Sequence, residues 1–524
     1  MKLRKSRVGM LAAVASMCLT ACGKKSDVVF WSSFGKKYSD ILDGIVGEIS
    51  QELGFSIAHE SKGSYPGILK EMVYSYGTRK YPSIAVGYPD HFAQHHGAKI
   101  LVPLDEYVSK EMLDDYDQDY LPENYIYDTD GTAHLYGVPF NKSTELLGYN
   151  GVFVDYCADY YHDDSLQVLP QTWDQWKAGI SDPSSKAGKY FERFTYLVNG
   201  GKKLYCVQDA DGHAHGFSET PTGAAGEVEA LNFEGVEVAN TRLMSWDSTD
   251  NAFITLLRQW DSKYTVLPED QRPHHPKERV GQVLFANQEN LPKTLNMLKY
   301  FKEFFDGGIF GTPADLKGQY SSDAFADGRV MFMICSSGGL SYNTDNWEKR
   351  FRVAPIPYKD DDHKFVISQG ANLCMTKNGN PKNSFKVIEA LTTGKYQTKW
   401  AIETGYFPAS NTAADTEEYQ NFLKSTSYEN KTLVSYREGA KVNEEEYRGT
   451  AHKDDAEWKA WKRFVDDAFI GSATVRSLVA SILPNVFKNV VDASSDSEYK
   501  REIKNVLNDP QIKNNLNIAV DSAL

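Results

Sequence analysis

Cysteine is scarce in this chain: six occur in 524 residues. Beyond Cys18 and Cys22 only Cys157, Cys206, Cys335 and Cys374 remain, far apart and without a Cys-x-x-Cys. That spacing argues against a zinc site or a thioredoxin-like motif. It leaves both a disulfide pair and buried free thiols open, since an exported location permits either. Long apolar runs are lacking too. Val8 to Leu19 is the only one of note, about twelve residues where a membrane-spanning helix needs roughly 20. Positive charge is in short supply, with 57 Lys+Arg against 71 Asp+Glu. A surface that acidic repels nucleic acid and anionic lipid heads. No Gly-x-x-x-x-Gly-Lys-Ser/Thr loop is present to cradle a nucleotide. Ser336-Ser337-Gly338 lacks the full Gly-x-Ser-x-Gly elbow of a hydrolase.

The N-terminus is rich in signals. Lys2, Arg4, Lys5 and Arg7 precede the short apolar run, and Leu19-Thr20-Ala21-Cys22 follows it. A basic start, a short apolar core and small residues at the cut describe a secretory signal peptide. The cysteine makes the site similar to a bacterial lipobox, which implies cleavage before Cys22, a lipid on its thiol and a short polar tether over residues 22–27. The body is then expected outside the cell, anchored to the outer face of the cell membrane. Loss of residues 1–21 leaves 53 basic residues against the 71 acidic ones. Partners are therefore expected to be neutral or cationic solutes, or proteins.

About 500 remaining residues exceed what one core holds and suit two lobes. Apolar Val28–Trp31, Phe55–Ala58 and Ile84–Gly87 alternate with helical spacing over residues 38–53 and 68–73. Such alternation predicts a parallel α/β sheet covered on both faces. Asp128-Thr129-Asp130-Gly131 and Asp209-Ala210-Asp211-Gly212 lack the later ligands of a calcium loop and read as turns. Residues 181–240, rich in Gly, Ser and Thr, read as loop and insertion. Val330 to Ile334 reads as a strand. The last hundred residues read as charged amphipathic helix, with Trp458, Trp461, Phe464, Val465 and Phe469 on one face. His91, His95 and His96 have helical spacing, but no acid precedes the second His of the pair as in His-Glu-x-x-His, so a surface helix is favoured over a metal site.

Several segments resemble, in order, those of family 1 extracellular solute-binding proteins: Tyr88-Pro89-Asp90-His91-Phe92 with Leu101–Asp105, Gly137–Thr144 up to Tyr149-Asn150, Pro170–Trp176, Gly328–Phe332, Gly370-Ala371-Asn372 and Thr404–Pro408. Ser64-Tyr65 and Thr404–Pro408 look closest to the glycerol-phosphate and multiple-sugar branch. The resemblance implies a two-lobe periplasmic-binding-protein-like α/β fold of type II, with three interlobe crossovers. Residues 27–140 plus 369–404 would form lobe 1, and residues 150–366 plus 408–524 lobe 2. It also implies a monomer that hands a small solute to the permease subunits of an ABC importer, without cofactor or metal.

Solute capture needs a concave site, aromatic faces and a few fixed polar groups. The 31 Tyr and 9 Trp suit sugars, which have apolar C–H faces and a hydroxyl rim. Ligands of open α/β sheets sit beyond the C-terminal strand ends, which points to Trp31, Ser32 and Asp90. Trp246 and Asp247, amid small polar residues, are expected to stack on a sugar ring and to accept its hydroxyls. The crossovers and strand ends add Ser64, Tyr65, Asn141, Ser336, Ser337, Asn372, Tyr406 and Phe407. Each has a plainer alternative: Asp90, Ser64 and Asp247 as helix caps, Trp246, Tyr406 and Phe407 as packing, the asparagines as backbone partners, the serines as a turn. Lys142 and Arg476 suit a phosphate fork, but nothing in the sequence places them in a cleft, so a neutral sugar or oligosaccharide leads a glycerol-phosphodiester. A glycoside hydrolase would need paired carboxylates about 5–10 Å apart, which 71 acids neither exclude nor support. An adhesin or peptide-binding lipoprotein is the third class.

Overall fold

The computed structural model describes residues 26–78, 80–118, 120–128, 130–209, 214–274, 277–318, 320–339, 351–424, 462–464 and 469–524. The apolar runs at the start of the chain form a parallel sheet. Strand β1 (Val28–Ser32) pairs with β2 (Ile57–Ser61) and β3 (Ile84–Gly87). Between them run α1 (Lys36–Leu53) and α2 (Tyr65–Ser75). Helix α1 buries Tyr38, Leu42, Ile45, Val46 and Ile49, the stripe that three- and four-residue spacing dictates. Helix α3 (Pro89–Gly97) follows β3, and then comes one long strand, β4 (Gly137–Asn150). In the second half of the chain, β5 (Arg242–Trp246) leads into α4 (Thr249–Gln259). Strands β6 (Phe310–Gly311), β7 (Val330–Ser336) and β8 (Phe351–Ala354) complete that lobe. Strand β9 (Phe365–Met375) and α5 (Gly394–Thr404) return to lobe 1, and α6 (Ser472–Val479) belongs to lobe 2.

The strands join in the order β6-β5-β7-β4-β9-β3-β1-β2. Strand β4 links the two lobes. Its first half lies antiparallel to β9, and residues 145–150 lie antiparallel to β7 and β8. Two large cores result, with two smaller clusters beside them. One surrounds β1–β3 with Phe30, Ile84, Phe140 and Trp400; the other is built on Trp173, Trp246, Phe301 and Phe332. Strands β4 and β9 and the bridge of Phe407 to Lys142 are three crossings between them. At the tightest, Gly370 has φ 113 and lies directly against the Asn141 carbonyl, where any Cβ would collide.

Three sequence expectations are corrected. Residues 181–240 hold a helix, Lys186–Asn199, and a three-stranded sheet of Lys203–Gln208, Ala214–Ser218 and Glu227–Asn232. Their turn glycines and serines masked the short strands between. Residues 462–464 form a strand parallel to β9 instead of helix; Trp458, Trp461 and Val465 lie outside the described residues. The three histidines of α3 are buried, not at the surface. Burial lowers the His95 pKa to about 3, and His96 is bonded to Asp128. The chain reverses between the paired strands Tyr125–Tyr127 and Ala133–Leu135, where the Gly131 amide donates to the Asp128 carbonyl at 3.1 Å; of the turn expected at 209–212, residues 210–212 lie outside the described residues. Cys157 and Cys374 are buried thiols, and burial pushes Cys374 up to about 12; Cys206 and Cys335 are buried as well. No described helix is long and apolar enough to cross a membrane.

Candidate functional site

Alternation along β4 places Asn141, Ser143 and Glu145 on one face. Gln369 of β9 pairs with Ser143 and shares that face. These four side chains form a polar floor where the lobes meet. From lobe 2, Asn251 at the start of α4 gives its amide to Glu145 (3.0 Å) and Gln369 (2.8 Å). The indole N–H of Trp246 also donates to Glu145, at 2.9 Å. Both donors reach the same carboxyl oxygen; the other, like Asn141 Oδ1 and Gln369 Nε2, is buried without a partner in the protein. Burial pushes the Glu145 pKa up to about 8 against the pull of its two donors.

Aromatic rings wall the floor on the lobe 1 side. Tyr65 meets Tyr88 edge-on with centroids 4.7 Å apart. The amide of Asn141 lies 3.4 Å from the Tyr65 hydroxyl. Tyr406 stacks on Trp400 at 8° and touches Gly338, where only a glycine leaves the ring room. Burial and the neighbouring tyrosines hold the Tyr406 hydroxyl well above its usual pKa. Across the gap, Arg476 of α6 forms an ion pair with Asp250 (2.6 Å) and a hydrogen bond to Asn251. Burial alone would lower the Arg476 pKa, but Asp250 outweighs it and keeps the guanidinium charged. The lobes also meet directly. Tyr38 donates to the Gly338 carbonyl at 3.0 Å, Gln94 to Ile470 at 3.1 Å, and Arg279 to the Tyr127 carbonyl. Beside this boundary, at the C-terminal end of β5, a cavity of about 400 Å³ is lined by Asp247, Asp250, Tyr320 and Pro484 among others.

Residues 46–425 match the model of a family described as bacterial extracellular solute-binding protein. The chain belongs to this family. The sn-glycerol-3-phosphate-binding periplasmic protein UgpB of Yersinia pestis is 23% identical over 412 residues, 76% of this chain and 77% of that protein. Its Escherichia coli K12 counterpart is 21% identical over 407 residues, with the same coverage. Among solved structures, UgpB of Mycobacterium tuberculosis with glycerophosphocholine aligns at TM-score 0.61 and 14% identity, covering 92% of this chain and 98% of that one. The maltotriose-binding protein of Thermus thermophilus aligns at 0.56 and 12%, covering 91% and 98%. The type II two-lobe fold is thus common to both.

Within this solute-binding protein, the structure separates the expected site residues. Tyr65, Asn141 and Tyr406 converge at the floor. Asp90 lies in the first turn of α3, near enough to Tyr88 to raise its hydroxyl pKa, but Tyr88, not Asp90, is the N-cap. Ser336 reaches Ser143 at 3.2 Å, and Ser337 Oγ accepts the Thr144 amide at 3.3 Å. Others need correction. Trp246 is 0% exposed, stacked on Trp173 in the lobe 2 core, so no sugar ring lies against it. Asp247 caps the helix Ser321–Ala326, accepting from the Ser321 and Ser322 amides at 2.6 and 3.2 Å, although it borders the cavity. Burial pushes its pKa up to about 6. Ser64 caps α2 through the Gly67 amide. Phe407 is packed among Leu146, Phe325 and Phe351. Asn372 is bonded within lobe 1 to Glu123 and Asn124. Ser32 is bonded to His59, and the Trp31 ring is covered by Lys62 at 3.9 Å, although its indole N–H has no partner in the protein.

The residues missed were Glu145, Gln369, Asn251 and Tyr88; Arg476, set aside in the sequence for want of a placement, stands at the lobe boundary. Glu145 alone carried a usable signal: an acid inside a strand of otherwise uncharged residues after Lys142 is expensive unless it serves a purpose. The others come together only through the fold.

Proposed function

We propose that this protein is a lipid-anchored receptor that captures a neutral sugar or oligosaccharide between its lobes and delivers it to the permease subunits of an ABC importer. One observation carries the choice of solute. The floor is amide-rich, burial favours the neutral acid at Glu145, the rings beside it are tyrosines, and the two cations nearby are engaged, buried Lys142 by Glu123 and half-buried Arg476 by Asp250. Paired amides and hydroxyl-bearing rings suit a ligand made of hydroxyls and C–H faces. In this reading Tyr65, Tyr406, Asn141, Asp90 and Ser336 contact the solute, with Ser337 and the Trp31 N–H at the margin. Lobe boundaries at 27–140 plus 369–404 and 150–366 plus 408–524 belong to the same proposal, as do the signal peptide 1–21, the tether and the lipid on Cys22, which keep a monomeric receptor at the outer face of the cell membrane. Binding without turnover is part of the same proposal, supported by membership of a solute-binding family. Incubating the protein with oligosaccharides tests this point: saturable binding with intact glycans is expected, and cleavage would replace the receptor by an enzyme.

A second reading is favoured by Arg476 at the lobe boundary and by the sn-glycerol-3-phosphate named in the relatives. A phosphate would have to compete with Asp250 for the guanidinium. Thermal-shift assays decide between the two: a raised melting point with sn-glycerol-3-phosphate or glycerophosphocholine, and none with saccharides, makes the second reading the right one.

A further inference from the structure

The floor holds a group whose arrangement neither family membership nor the fold explains. Glu145 is 1% exposed, and its two oxygens are treated unequally. Oε1 accepts from Trp246 and Asn251, while Oε2 has no partner in the protein. A buried ionised oxygen left without donors is costly, so the cheap form is the acid, with its O–H held for a visitor. Two more unused atoms share the face: Asn141 Oδ1, an acceptor, and Gln369 Nε2, a donor. Asn141 and Glu145 lie four residues, about 13 Å, apart along β4, so the row of donors and acceptor matches a solute that carries several oxygens able to give and take hydrogen bonds.

We propose that Glu145 is the discriminating residue of the cleft floor, an uncharged carboxyl whose Oε2–H donates to a neutral hydroxyl or ether oxygen of the solute and whose ionisation rejects the ligand. The proposal rests on the carbohydrate reading and deepens it. The groups facing Glu145 are Trp246 from β5, Asn251 and Asp250 from α4, Gln369 from β9, Ser336 paired opposite on β7, and Arg476 from α6. The charges are Asp250, which raises its pKa, and Arg476, which lowers it; they are paired to each other and act in opposite directions. Burial is the larger effect and puts the titration near 8. Because the folded-state value lies above the unfolded one, the neutral form dominates at pH 6.5 and is lost as pH rises past 8.

The test is calorimetric titration of the intact protein and of Glu145→Gln with maltotriose, raffinose and sn-glycerol-3-phosphate at pH 6.5 and 9.0. Wild type is expected to bind a saccharide at pH 6.5 and to lose about tenfold in affinity at pH 9.0. Glu145→Gln, neutral at both, should show no such loss. Wild-type saccharide affinity that is equal at the two pH values overturns the role of Glu145 while leaving the carbohydrate reading standing, and needs no variant to fold. Preference for sn-glycerol-3-phosphate, or no saccharide binding at pH 6.5, overturns both.

Discussion

Trp246 and Tyr65 are both large rings near the lobe boundary, yet their surroundings assign them opposite work. Trp246 is sealed in the lobe 2 core, and its N–H holds Glu145. Trp246→Ala is therefore expected to cost stability, about 3–5 kcal/mol for a buried tryptophan, read in urea denaturation; a variant of unchanged stability that fails to bind would restore a stacking role. Tyr65 is half-buried, with its hydroxyl at the floor. Tyr65→Ala is expected to keep its fold and lose tenfold or more in affinity, at least about 1.4 kcal/mol, by calorimetry. Tyr406→Ala should act likewise, with some loss of melting temperature because that ring also stacks on Trp400.

At the scale of elements, β4 and β9 matter most, because the lobes share them. Gly370→Ala places a Cβ against the Asn141 backbone at φ 113. Left-handed strain alone costs about 1–3 kcal/mol, so a lowered melting temperature is expected; an unchanged one would mean the crossing adjusts freely. The sequence made β1, β2, β3, α1 and β7 legible because each carries its own period: unbroken apolar runs for buried strands, three- and four-residue spacing for α1. It misled over residues 181–240, where composition was read in place of period. The site was legible only in part. Asn141 and Tyr406 lie in crossover segments, and Tyr65 in a Ser-Tyr pair, that the family pattern marks, whereas Asn251, Gln369 and Arg476 meet only through contacts over a hundred residues apart. Trp246 was misassigned because small polar neighbours in sequence say nothing of Trp173, which covers it in space.

At the scale of the whole molecule, the lobes touch at the shared strands and again at points removed from them: Gln94 to Ile470, and Arg279 to Tyr127. If the lobes open about the shared strands these outer contacts part, and they would then bias the same hinge equilibrium as a solute. Arg279→Ala is expected to weaken solute affinity about fivefold without touching the floor, and to enlarge the solute-free radius of gyration in X-ray scattering; affinity equal to wild type would show that this contact does not hold closure. A lipid on Cys22 would add effective concentration at the membrane, since a short tether keeps the cleft near its permease. The most direct test of the central claim is calorimetric titration of the purified protein with neutral oligosaccharides, set beside sn-glycerol-3-phosphate and glycerophosphocholine. Saturable one-to-one binding of a saccharide, with the phosphoesters far weaker, is the predicted result; saturable binding of a phosphoester with no response to any saccharide would contradict it.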